Sequence, residues 1–128
     1  MKSRKKSAIA ALGLALVLSS CSTEPDSPYS DFVVQVGAES FIARIADPAE
    51  IVRFREAMAG IRPGFPLGLL RSGDGGFNSP WSWHLDPEET NLVEVAIEVC
   101  DGTPSYVETH QNEFPTYCPW GARIVAER

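Results

Sequence analysis

Ser82, His84 and Asp86 are the residues whose types come nearest to a catalytic set. A serine hydroxyl can attack, an imidazole can take its proton, and a carboxylate can orient the imidazole. The three alternate, so on a β-strand they share one face, with successive members roughly 6.5–7 Å apart. A continuous chain of hydrogen bonds through them would need unusual bending. Functional triads converge from separate segments, and a nucleophilic serine needs an exposed turn with an oxyanion hole. The bland roles fit better. Asp86 precedes Pro87 and suits a cap that accepts from the amide of Glu88 or Glu89, while His84 suits a structural bond to a backbone carbonyl. No enzyme active site, catalytic residue or cofactor is therefore expected. A small hydrolase using His84 with an acidic partner is the enzymatic alternative.

Cysteine supplies the second kind of chemistry, at Cys21, Cys100 and Cys118. In an exported chain, Cys100 and Cys118 are most simply a disulfide, contributing on the order of 3 kcal/mol. The competing readings are two free thiols or half of a metal site. Zinc would need two further ligands, and only His84 and His110 are on offer, without characteristic spacing, so no metal site is assigned.

Gly73-Asp74-Gly75-Gly76 is glycine-rich, but Asp74 and the lack of a following Gly-Lys-Ser/Thr rule out a phosphate cradle. The oxygen spacing of a calcium loop is missing too. The segment through Pro80 reads as a connection between strands, or as a recognition loop contacting ligand through Phe77 and Asn78. Trp81, Trp83 and Trp120 belong to a core or to an aromatic patch for sugar or peptide. With His84, these residues make up the candidate binding surface. Glu88, Glu89, Glu94 and Glu98 form a solvated face rather than the close carboxylate pair of glycoside chemistry.

The elements that must position these groups follow from periodicity. Phe32–Val36 and Ser40–Ile45 are β-rich runs joined by Gly37-Ala38-Glu39, which predicts a hairpin. Asp47-Pro48-Ala49-Glu50 opens a helix, with Asp47 as cap, Pro48 in the first turn and Glu50 at the capping-box position. Ile51, Phe54, Met58 and Ile61 recur at helical spacing, and Gly60 stops the helix. Leu67–Arg71 and Trp81–Leu85 are further strands, the latter with both tryptophans and Leu85 facing one way. Val93, Val95, Ile97 and Val99 alternate with Glu94, Ala96, Glu98 and Cys100, which predicts another strand. Thr103-Pro104 can open a short helix near Tyr106–Gln111, and Arg123–Ala126 closes the chain as a strand. The fold class is α+β, a mostly antiparallel sheet of about five or six strands with one clear helix, one short helix and one disulfide.

The first residues carry a basic head, an apolar run of 11 residues from Ala8 to Leu18, and then small residues. That run is too short for a spanning helix, which needs about 20, and matches a secretion signal over residues 1–20. Leu18-Ser19-Ser20-Cys21 resembles the lipobox of bacterial lipoproteins, a resemblance that implies cleavage before Cys21 and acylation of its thiol. More than one acyl chain is needed for stable anchoring. Residues 21–30 then read as a lipidated cysteine and polar tether, and residues 31–128 as one globular domain. Removing residues 1–20 takes four of the 11 basic residues and none of the 17 acidic ones, leaving a net charge of −10. Such a surface excludes sequence-independent binding to nucleic acid.

Phe41–Glu50, the run from Gly75 to Pro87, Ala96–Asp101 and Cys118-Pro119-Trp120-Gly121 together resemble a domain family first defined in the N-terminal part of a slime-mould calmodulin-binding protein. The resemblance spans about residues 32–127. It implies a small domain of uncharacterised function and carries over no catalytic residue. Calmodulin itself is not an expected partner, because Arg53 and Arg55 of the amphipathic helix are offset by Glu50 and Glu56. The sequence therefore predicts a lipid-anchored interaction module outside the cytoplasm, at the cell envelope. Its membrane contact is the lipid, its partner a protein, peptide or sugar; a purely structural envelope protein is the remaining alternative.

Overall fold

The computed structural model describes residues 27–128. The secretion signal, Cys21 and most of the tether lie outside the described residues. Six strands form two three-stranded antiparallel sheets.

The first sheet grows from the expected hairpin. β1 (Ser30–Val36) and β2 (Glu39–Ile45) pair from Ser30–Ile45 to Val36–Glu39, closing on a two-residue turn at Gly37-Ala38. The last strand, β6 (Arg123–Glu127), adds to the free side of β1, giving the order β2-β1-β6. Helix α1 (Pro48–Met58) packs on it through Phe54, which is fully buried beside Phe32 of β1 at 5.2 Å between ring centroids.

Local chemistry sets the limits of α1. The Asp47 carboxylate accepts from the Ala49 amide at 2.8 Å, and Pro48 occupies the first turn. At the other end Gly60 adopts φ +75°, with Gly60 N–H on the Ala57 carbonyl and Ile61 N–H on that of Glu56. These two bonds make the Schellman closure that a left-handed glycine permits. Two expectations need correction. Ile61 lies past the helix and is exposed, and Glu50 makes no capping box, for its carboxylate accepts from the Leu92 amide of the second sheet instead.

The second sheet has the order β4-β3-β5, from β3 (Phe65–Ser72), β4 (Trp83–Val93) and β5 (Thr116–Tyr117). β4 is longer than the sequence suggests because it runs on through Asp86-Pro87. Its register against β3 jumps from Leu70–Leu85 to Gly68–Thr90, so Asp86–Glu89 bulge out of the ladder. Gly68 is required at that jump, since a Cβ there would collide with the Thr90 hydroxyl and approach Leu85 Cβ to 3.1 Å. The bulge meets the first sheet: the Pro87 carbonyl accepts from the Ala46 amide at 3.0 Å. Between the sheets lie Val34, Phe41, Trp83, Leu85 and Tyr117, all buried. Helix α2 (Pro104–Thr109), capped by Thr103 Oγ1 on the Tyr106 amide, and a 3₁₀ turn at Gln111–Glu113 complete the chain.

The strand expected from Val93 to Val99 does not form beyond Val93. β3 begins at Phe65, directly after Pro63-Gly64, so the ladder ends at the Phe65–Val93 pair and residues 94–99 have no strand beside them. Alternation marked the residues as strand-like, but a strand exists only where a partner supplies its hydrogen bonds.

Candidate interaction surface

Each member of the apparent catalytic set bonds to a different part of the fold. Ser82 precedes β4, and its hydroxyl donates to Glu108 of α2 at 2.6 Å and accepts from Gln111 Nε2 at 2.9 Å. The Ser82 amide donates to the same carboxylate at 3.0 Å. His84 Nδ1 lies 2.7 Å from the Gly73 carbonyl, the structural bond expected of it. Asp86 accepts from the Glu88 amide at 3.0 Å, as a cap, and also holds Arg71 Nε at 3.0 Å. Partial burial pushes the Asp86 carboxyl up, but the Glu88 amide and the Arg71 guanidinium outweigh it and leave the group below its ordinary range. Glu108, Gln111 and Arg71 were invisible from sequence as partners, because nothing local links positions that far apart.

The glycine-rich segment is held at both ends. Gly73 N–H donates to the Ser82 carbonyl at 2.7 Å, and Asp74 accepts from the Gly76 amide at 2.9 Å. Asn78 is a correction: it is fully buried and cannot meet a ligand at the surface. Its Oδ1 accepts from the Ile42 amide and its Nδ2 donates to the Trp83 carbonyl, both at 2.8 Å, joining the two sheets. Phe77 is half-buried, edge-on to His84 and under the Arg44 guanidinium at 4.5 Å.

The tryptophans separate. Trp83 is also a correction, being wholly inside, packed against Phe41 and Tyr117 with each centroid 5.3 Å away. Trp81 lies before β4, stacks on Trp83 and donates its Nε1 to the Ser40 carbonyl at 2.9 Å. Trp120 alone of the three stands out, with 52% of its surface exposed.

A surface missing from the sequence-derived candidates adjoins Trp120. Val95, Ile97 and Val99 are 77%, 98% and 99% exposed, whereas Ala96 between them is half-buried against the small cluster of Phe65, Cys100 and Cys118. The apolar side chains of this extended segment thus face away from the body. Among the described residues, no hydrogen bond engages the amides of Val95, Ala96, Ile97, Glu98 or Val99. Val95 also lines a groove of about 400 Å³ with Phe65, Glu94, Ala96 and Trp120. At the other end Val99 lines one of about 490 Å³ with Asp101, Thr103, Tyr106 and Phe114. The only sequence signal was the period-two pattern itself, which pointed to a buried face.

The base of this ridge is fixed. Cys100 and Cys118 form the expected disulfide, with Cα atoms 5.1 Å apart, and the Cys118 amide donates to the Cys100 carbonyl at 2.8 Å. Both thiols are thereby used, which removes the free-thiol and half-zinc readings. The Trp120 amide is bonded by Asp101 Oδ1 at 2.9 Å. The rim is acidic: Glu94, Glu98, Asp101 and Glu113 are exposed, and the ion pairs of the described residues lie elsewhere, at Arg44–Asp31, Arg53–Glu50, Arg55–Glu127, Arg62–Glu56 and Arg71–Asp86. Glu88 and Glu89 are exposed as well. Among the described residues, no group of three or more His, Cys, Asp or Glu could hold a metal ion, and no helix is long and apolar enough to cross a membrane.

An α+β domain of two small antiparallel sheets, locked by one disulfide and presenting an apolar ridge, is the class that fold and surface define. The family model for the N-terminal domain of a calmodulin-binding protein matches residues 27–128, and the chain belongs to that domain family. Comparison with curated proteins and with solved structures finds no match.

Proposed function

We propose that this chain is an interaction module of the bacterial cell envelope, tethered outside the cytoplasm by an acylated Cys21 and acting by surface complementarity rather than turnover. The observation that carries the reading is the uncovered ridge of Val95, Ile97 and Val99, ending beside Trp120. Three large aliphatic side chains in sequence on one outward face are a surface that a partner covers. The bonds of Ser82, His84 and Asp86 support binding over catalysis, since each group holds the fold together. The disulfide fits an oxidising compartment, and Leu18-Ser19-Ser20-Cys21 fits lipidation. The partner is a protein, peptide or sugar; nucleic acid is disfavoured by charge, and α1 offers no basic face for calmodulin.

Metabolic labelling with radioactive palmitate, followed by membrane fractionation, tests the tether. The full chain should carry label and partition into detergent, while Cys21→Ala should accumulate as an unlabelled precursor. Normal maturation and partitioning of the variant would overturn the lipid-anchor reading.

A further inference from the structure

We infer that residues 94–99 are a docking edge for an extended, alternately apolar and cationic segment of another protein, which would add to this chain as a β-strand. The inference rests on the interaction-module reading and names the kind of partner that module takes.

Three observations converge on it. The segment is extended and runs on from β4 past the end of β3, so its strand pairing is unfilled. Its amides from Val95 to Val99 make no hydrogen bond among the described residues, and free backbone donors in sequence are the template that strand addition uses. Its side chains sort into two faces, with Val95, Ile97 and Val99 on one and Glu94, Ala96 and Glu98 on the other. An incoming strand would therefore meet apolar neighbours on one face and carboxylates on the other. Cross-strand pairing favours like with like for aliphatic side chains and opposite charges for ionised ones. The complementary sequence alternates Val, Ile or Leu with Lys or Arg.

Charge complementarity selects this occupant over a second copy. Self-pairing would bring Glu94 and Glu98 of both copies together, and none of these carboxylates has an ion-pair partner of its own. A cationic strand relieves that repulsion, and Asp101 and Glu113 extend the negative rim at the Val99 end.

The full chain, solubilised in non-ionic detergent, can be titrated against fluorescein-labelled nonapeptides. One alternates Lys with Val, one alternates Glu with Val, and one carries the same Lys and Val residues in two blocks. The Lys–Val alternating peptide should bind at least tenfold more tightly than either control and should weaken as salt is raised. N-methylation of its backbone should abolish binding, and amide signals of Val95–Val99 should shift in titrations of isotopically labelled protein. Ile97→Asp should weaken binding at least tenfold with an unchanged melting curve, because Ile97 is exposed, whereas Ile97→Val should bind as the parent does. The double variant Glu94→Lys, Glu98→Lys should prefer the Glu–Val peptide.

Equal binding of the Lys–Val and Glu–Val peptides, or no effect of Ile97→Asp, would overturn the assignment. Concentration-dependent self-association dissolved by Ile97→Asp would give the edge to a second copy and also overturn it. If Ile97 cross-links to an envelope protein in cells while the Lys–Val peptide neither binds nor competes, the cationic-strand assignment fails and the interaction-module reading stands.

Discussion

The Glu50 carboxylate accepts the backbone amide of Leu92 at 2.8 Å, so an acid in the first turn of α1 serves as a hydrogen-bond partner for β4. Glu50 is buried, lies 3.6 Å from Arg53, and links the helix on one sheet to the end of the other. Glu50→Ala would leave a buried amide unpaired, a loss of about 1–3 kcal/mol. The midpoint of denaturant unfolding should fall accordingly, with Glu50→Gln recovering part of the loss. A capping-box role would instead confine the effect to the helix start.

Asn78 joins the sheets through Ile42 and Trp83. Asn78→Ala should destabilise by roughly 2–4 kcal/mol, because two buried backbone groups lose their partner at once. A recognition-loop role would instead leave thermal unfolding unchanged.

Asp86 gives a pH-dependent test. A carboxyl held below its ordinary value adds stability above the unfolded-chain value, and that stability is lost as pH falls through the folded value. Asp86→Ala should therefore cost about 1 kcal/mol at neutral pH. Unfolding curves of parent and variant should draw together below about pH 4. The Arg71 pair adds little to this figure, since its guanidinium is exposed.

Reduction of Cys100–Cys118 should cost about 3 kcal/mol and loosen residues 94–99 first, because Cys100 is their attachment to β5. Hydrogen exchange of that segment, compared between parent and Cys100→Ser, Cys118→Ser, reads the local effect; thiol titration of the folded parent should find neither cysteine.

Where local chemistry decides, the sequence was legible. Asp47-Pro48 starts α1, Gly60 ends it, and Gly37-Ala38 turns the hairpin, each by interactions within a few residues. The disulfide followed from counting cysteines. What failed depended on distant partners. Val95, Ile97 and Val99 have the strand pattern without the neighbouring strand, since β3 starts too late to reach them. Asn78 sits in a polar-looking loop, yet carbonyl and amide groups from both sheets draw it inside. Of the candidate surface, Trp120 is exposed, Phe77, Trp81 and His84 are partly covered, and the aliphatic ridge was read as core.

Site-specific photo-cross-linking in intact cells tests the central claim most directly. A photoreactive residue placed at Ile97 in the full chain should yield a discrete adduct with a cell-envelope protein, while the same residue at exposed Val52 on α1 should yield none. Adducts from Val52 but not from Ile97, or no adduct from either position, would contradict the account.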